Sequence, residues 1–296
     1  MLPKPWKRCF RVRAARSTCE VGLAKERILI TVKTYPTLSR KYGETVCTAG
    51  IREDGSWVRM YPVPFRHLDE AQQYAKYDWV ECDLSRKTSD PRPESYRPTD
   101  ERQLVPIGHL GPEHQWQARR QFLLKKAKVY DRLDVLIAEA KANQTSLAIF
   151  KPTMVHDFTW EEEERQWSEE RVRQMRDAHS QLDLFEDNEW RKTFRVIPKL
   201  PYSFSYRFLD AVGRQSELQV LDWEAGALYW NCLRSENGDE PKALAKVRQK
   251  YFDEFLTKDL HFYLGTTQQF HFVAPNPWVI IGVLPIPHEI QGTLFQ

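Results

Sequence analysis

The sequence predicts an α+β protein in two halves. The N-terminal half reads as a small, curved β-sheet or barrel with helices, and the C-terminal half as a mixed α/β arrangement. Three observations carry this expectation. Short β-branched and alternating stretches crowd into residues 27–110. Helical spacing of apolar residues follows over 113–142. Alternating aromatics then reopen a strand pattern after residue 196.

Size and composition support a packed core. The 296-residue chain is 41% apolar and 12% aromatic, with ten tryptophans, which argues against disorder as a whole. A net charge of +3 is too small to imply nucleic acid by itself. No apolar run approaches the roughly 20 residues that span a bilayer, and no signal-peptide core is present, so a cytoplasmic protein without a membrane partner is expected. The five cysteines (Cys9, Cys19, Cys47, Cys82, Cys232) are scattered and never in a CxxC pair. That spacing argues against a disulfide framework and against a four-cysteine zinc site.

Residues 1–26 form a basic arm in which Lys4, Lys7, Arg8, Arg11, Arg13 and Arg16 precede the first acid, Glu20. A poorly ordered leader is the simpler reading, and contact with a phosphate backbone the functional one. An N-terminal α+β domain is expected over 27–178, an exposed linker over 179–195 and a C-terminal α+β domain over 196–296.

Within the first domain, residues 28–33 (ILITVK) read as a buried strand. Residues 45–51 and 56–61 read as a hairpin around Asp54-Gly55. Residues 77–84 alternate and give another strand. The five prolines between 85 and 112 predict a long, extended, exposed connection. One helix is expected over 113–142, with Leu133, Leu136, Ile137 and Ala140 on its apolar face. A strand follows at 146–150, then a charged helix over 160–180 with Trp160, Trp167 and Met175 as its stripe.

In the second domain Tyr202, Phe204, Tyr206 and Phe208 alternate, and residues 217–223 follow as their antiparallel partner around Gly213. Leu244, Val247, Tyr251 and Phe255 place a helix over 241–256. Residues 270–273 and 278–284 (WVIIGVL) read as closing strands, the second apolar enough to be central.

Several groups are candidates for chemistry. Asp222 and Glu224 end a strand with two carboxylates on one side, a pattern that suits Mg²⁺ or Mn²⁺ in a nuclease. His271 or His261 would complete such a site or act as a base, and Lys246, Arg248 and Lys250 would hold phosphates. The competing structural reading makes Asp222 the cap of a helix beginning near Ala225, with Glu224 in its first turn. Asp134, Glu139 and Lys141 mimic the D…ExK pattern of a nuclease fold, but their helical spacing argues against it. Absence of P-loop, dinucleotide-binding and G-x-S-x-G motifs disfavours those chemistries.

Lys33, Arg40 and Lys41 place basic groups beside aromatics at a strand end. Trp57, Arg59 and Tyr61 alternate on one strand and share a face. Arg92, between Pro91 and Pro93, is expected to be a rigid exposed arginine. Such interleaving suits stacking on unpaired bases and contact with a backbone, so these seven residues are the expected nucleic-acid surface. A compact barrel with that face is similar in outline to PUA-like folds that read modified bases, and a non-enzymatic reader is the alternative that this similarity implies.

Gln181-Leu182-Asp183-Leu184-Phe185 resembles the short peptide with which bacterial replication and repair proteins dock on the β sliding clamp. The resemblance makes Leu184 and Phe185 the deep anchors, Gln181 the hydrogen-bonding edge, Leu182 a shallower contact and Asp183 the polar spacer. A looser copy, with Gln291, Leu294 and Phe295 at the matching positions, ends the chain. A strict match arises by chance in on the order of one chain in a thousand of this length. The resemblance implies a bacterial DNA-binding protein of repair, mobile-element biology or anti-phage defence. It says nothing about fold and names no reaction.

Overall fold

The computed structural model describes residues 25–39, 43–65, 68, 72–100, 104–174 and 197–288. Residues 1–24 of the basic arm, Arg40, Lys41, the peptide Gln181 to Phe185, and Gln291, Leu294 and Phe295 lie outside the described residues, while Glu26, expected in the arm, opens β1. So does the whole linker expected over 179–195.

The structure is mixed α/β, with one curled sheet in the N-terminal region and a second sheet after it. The first sheet comprises β1 (Glu26–Lys33), β2 (Thr37–Ser39), β3 (Gly43–Arg52), β4 (Trp57–Val63), β5 (Asp78–Cys82), β6 (Leu84–Arg86), β7 (Ser95–Pro98) and β8 (Val105–His109). Its order is β6-β7-β4-β3-β1-β5-β8, with β2 beside β3 off this path. The apolar run in β1 is explained by burial on both faces. Ile28 and Ile30 enter the core inside the curl with Val58, Met60 and Val80. Leu29 and Val32 face the second sheet, where they meet Leu147, Tyr263 and Ile281. A register shift between Ile30 and Val32 moves Val32 to that outer face.

The β3–β4 hairpin turns as its sequence predicts. Asp54 accepts hydrogen bonds from the Ser56 amide (2.9 Å) and hydroxyl (2.7 Å). Gly55 takes φ +91°, a conformation that side chains resist.

The second sheet runs β11-β12-β13-β15-β14-β10-β9. Its strands are β9 (Val129–Tyr130), β10 (Leu147–Phe150), β11 (Met154–Glu162), β12 (Tyr202–Leu209), β13 (Gln215–Val220), β14 (Asp259–Thr266) and β15 (Trp278–Ile286). β15 is central, as its apolar sequence predicts. Helices α2 (Leu133–Lys141), α3 (Trp223–Ser235) and α4 (Glu240–Arg248) share one large core with this sheet. The four alternating aromatics of β12 all point into that core and are at most 5% exposed. Among the described residues no helix is long and apolar enough to cross a membrane.

Four expectations are corrected. The connection over 85–112 contains β7 and β8 and buries Asp90, Arg92 and Ser95. The helix expected over 113–142 is two, α1 (Glu113–Lys126) and α2, because residues 127–132 turn aside to place β9 against β10. Trp160 lies on strand β11, paired with Phe204, and not on a helix. Residues 270–273 form a turn rather than a strand. The two sheets part between β8 and β9, so the division expected at 179–195 separates β11 from its partner β12.

Candidate functional site

Where the sheets meet, their residues line an open cavity of about 640 Å³. Its lining includes Tyr35, Arg59, Tyr61 and Arg92 from the first region, and Trp167, Lys199, Asp222 and Thr267 from the second. The strand geometry explains this grouping. Trp57, Arg59 and Tyr61 share the outer face of β4, which turns toward the second sheet. Trp57 packs edge-on against Tyr263 at 6.1 Å. Arg59 and Tyr61, farther along, reach the cavity.

Arg59 is 2% exposed. It donates to the Ser146 hydroxyl (2.6 Å) and carbonyl (2.8 Å), and to the Thr266 carbonyl (3.4 Å). Burial, with the neighbouring Arg92 charge, lowers its pKa to about 10, so it stays cationic at neutral pH. Arg92 is 6% exposed, a correction to the exposed contact expected of it. Its guanidinium grips Asp90 through two bonds of 2.9 and 2.6 Å and also donates to the Thr266 carbonyl. Burial alone would raise Asp90, but Arg92 and the Ser95 hydroxyl hold it down at about 2. Glu94 accepts from the Ser146 amide (3.0 Å) and from the hydroxyls of Ser146 (2.5 Å) and Thr145 (3.1 Å). These charges therefore tie β4 and the 87–95 loop to β10 and β14.

The Asp222 region is built differently. Asp222 caps α3 through the Glu224 amide (3.1 Å), as the structural reading of the sequence expects. It is 4% exposed, and its Oδ2 has no hydrogen-bond partner. Burial raises its pKa to about 7, with Lys76 opposing and Glu224 adding to the rise. Glu224 pairs with Lys76 at 3.1 Å, and Lys76 also donates to the Val283 carbonyl at 2.8 Å. Thr267 offers a second orphaned atom at the cavity, its buried Oγ1. Tyr35 completes the wall. A Cβ on Gly226 would sit 2.4 Å from the Tyr35 ring, so glycine at that position lets α3 approach it closely.

The remaining expected site residues disperse. His271 is fully buried, and burial lowers its pKa. Its ring bonds Thr266 Oγ1 (2.9 Å) and Asn143 Oδ1 (3.1 Å), far from a role beside two free carboxylates. His261 is buried against the Asp259 carbonyl and lowered to about 3. Among the described residues, no three His, Cys, Asp or Glu side chains converge on a point that would hold a metal. Arg248 pairs with Asp157, and Lys250 with Glu254. Lys33 turns inward, its ammonium 4.1 Å from the Phe65 ring centre and bonded to the Tyr74 carbonyl at 3.0 Å. Thr267 carries no signal in the sequence, because its place depends on strands far away in the chain, whereas Tyr35 is legible as an aromatic beside basic groups at a strand end.

Residues 130–296, more than half of the chain, match the domain of unknown function DUF8757. The chain belongs to the DUF8757 family. Residues 24–125 match a second domain of unknown function, DUF8758. The DUF8757 segment begins at β9 and contains the whole second sheet apart from the first residue of that strand, whereas the DUF8758 segment contains the first sheet and most of α1. The cavity thus lies between a DUF8758 wall and a DUF8757 wall. No curated protein matches the chain.

Proposed function

We propose that this protein binds nucleic acid beside the β sliding clamp, and that the cavity between its sheets receives a single base. The cavity is the observation that carries this reading. Its volume, about 640 Å³, falls in the range of small-ligand sites. Aromatic rings at Tyr35 and Tyr61 supply faces for stacking, and the lining residues Gln219 and Gln269 supply polar groups for a base edge. Lys87, whose ammonium lies 4.2 Å over the Tyr61 ring, adds a cation for a phosphate. The inferred setting is a bacterial cytoplasm, in repair, mobile-element biology or defence against phage.

The clamp-like peptide fits this placement. Trp167 before it and Lys199 after it both line the cavity. Docking through this peptide would bring clamp and cavity to one stretch of DNA, raising local concentration without sequence specificity. A metal-dependent nuclease at Asp222 and Glu224 has less support, since one caps α3 and the other pairs with Lys76.

Titration of the full chain with single nucleotides and with single-stranded DNA tests the reading. Binding of both is expected, with Tyr61→Ala weakening both about tenfold. No binding by either ligand sinks it. Pull-down with the clamp is expected to fail for Leu184→Ala with Phe185→Ala; full retention by that variant, and by it truncated before Gln291, removes the docking claim. Mg²⁺- or Mn²⁺-dependent cleavage abolished by Asp222→Ala with Glu224→Ala would instead favour the nuclease.

A further inference from the structure

The loop between β14 and β15 does something the core does not require. Phe270, Phe272 and Val273 are 47%, 49% and 74% exposed, three large apolar side chains at one tip. Between them His271 is fully buried. Its two ring nitrogens bond Thr266 and Asn143, and its ring meets Phe272 edge-on at 4.6 Å. The tip is also closed on itself, with the amides of Val273 and Ala274 donating to the Phe270 carbonyl at 3.3 and 3.0 Å. A loop that only connected two strands would not need a buried anchor holding two phenyl rings toward water.

The foot of this loop is the cavity. Thr267, Gln268 and Gln269 line it, and Gln268 donates to the Ser89 carbonyl at 2.9 Å. That bond ties the foot of the loop to the turn carrying Lys87, whose ammonium lies over the Tyr61 ring at the cavity. Rigid apolar side chains unstack base steps, and a cation at the cavity would hold the backbone beside them. A deep pocket at the base of such a tip then receives the displaced base.

We propose that Phe270, Phe272 and Val273 form a wedge that enters nucleic acid and displaces a base toward the cavity. The assignment rests on the reading of the cavity as a base site, and it adds the element that delivers the base. His271 is a positioning residue for the wedge rather than a catalytic one.

The experiment uses the full chain, a DNA duplex carrying one 2-aminopurine at a mismatch, and free deoxynucleoside monophosphates. Wild type is expected to raise the 2-aminopurine fluorescence on binding. Phe270→Ala with Phe272→Ala is expected to abolish that rise and weaken duplex binding about tenfold or more, with monophosphate binding unchanged. Both residues are exposed, so an unchanged melting temperature confirms that the variant folds. If the variant raises fluorescence as wild type does, the wedge is overturned, whatever the monophosphates do. If wild type and variant bind duplex equally without unstacking it, the wedge is likewise overturned. If monophosphates fail to bind while wild type still unstacks DNA through these phenylalanines, the cavity reading falls and the wedge stands.

Discussion

Two buried polar regions face the same cavity and are finished differently. Around Arg92 the charges hold one another and the backbone: Asp90 takes two bonds from the guanidinium, and Thr266 takes one from each arginine. Around Asp222 a carboxyl is equally buried but leaves Oδ2 without a partner. A buried charge with several partners fixes how two layers join. A buried oxygen short of one is costly unless something else uses it. The first region therefore reads as a joint, and the second as a buried carboxyl that the fold compensates less completely.

The largest expected effect breaks the joint. Arg92→Ala should destabilise the protein by about 3–5 kcal/mol in urea unfolding, because Asp90 then stays buried without its partner. Asp90→Asn with Arg92→Met, which removes both charges, should lose much less. Equal losses would mean that the pair is not what joins the sheets.

The Asp222 region should show its difference through pH. Its folded pKa, about 7, lies above the unfolded carboxylate value of about 3.9. The folded state then binds more protons than the unfolded state between those values, so this contribution is full below about pH 4 and is lost as pH rises toward 7. The loss is at most about 4 kcal/mol. Asp222→Asn keeps a good helix cap and should flatten that part of the stability profile between about pH 4 and 7. An unchanged slope would show that Asp222 does not titrate there.

A smaller effect tests the wall beside it. Gly226→Ala drives a methyl into the Tyr35 ring and should cost about 1–3 kcal/mol while displacing Tyr35 at the cavity. Loss of nucleotide binding beyond the loss of stability would link the two. The smallest effect on stability belongs to Tyr61→Ala, expected to change the melting temperature little and ligand affinity about tenfold.

Local pattern revealed much of the fold. ILITV, the Asp54-Gly55 turn, the aromatics of β12 and the apolar run of β15 each carry their structure within a few residues. The 113–142 region misled because helical spacing on either side of Val129 hides a two-residue strand whose partner is β10. Arg92 misled for a similar reason. Its prolines suggest exposure, while its burial is decided by Thr266, 174 residues away. Trp57, Arg59 and Tyr61 were legible as one face, but not the layer that covers it. The expected union of Asp222, Glu224 and His271 failed because each has a nearer structural partner.

The spacing of the contacts between the sheets bears on how the chain folds. Arg59 reaches residues 87 and 207 positions away, Arg92 reaches one 174 away, and Lys76 reaches one 207 away. Each such contact closes a very long loop, and its entropy is lost before the contact repays it. During synthesis the first sheet emerges complete by His109, with its outer face still bare. α1 and β10 cover part of that face early, and β14 and β15 complete the cover. For much of translation the nascent chain therefore carries an apolar sheet only partly covered, and chaperone capture or aggregation at that stage would limit how much protein a cell obtains.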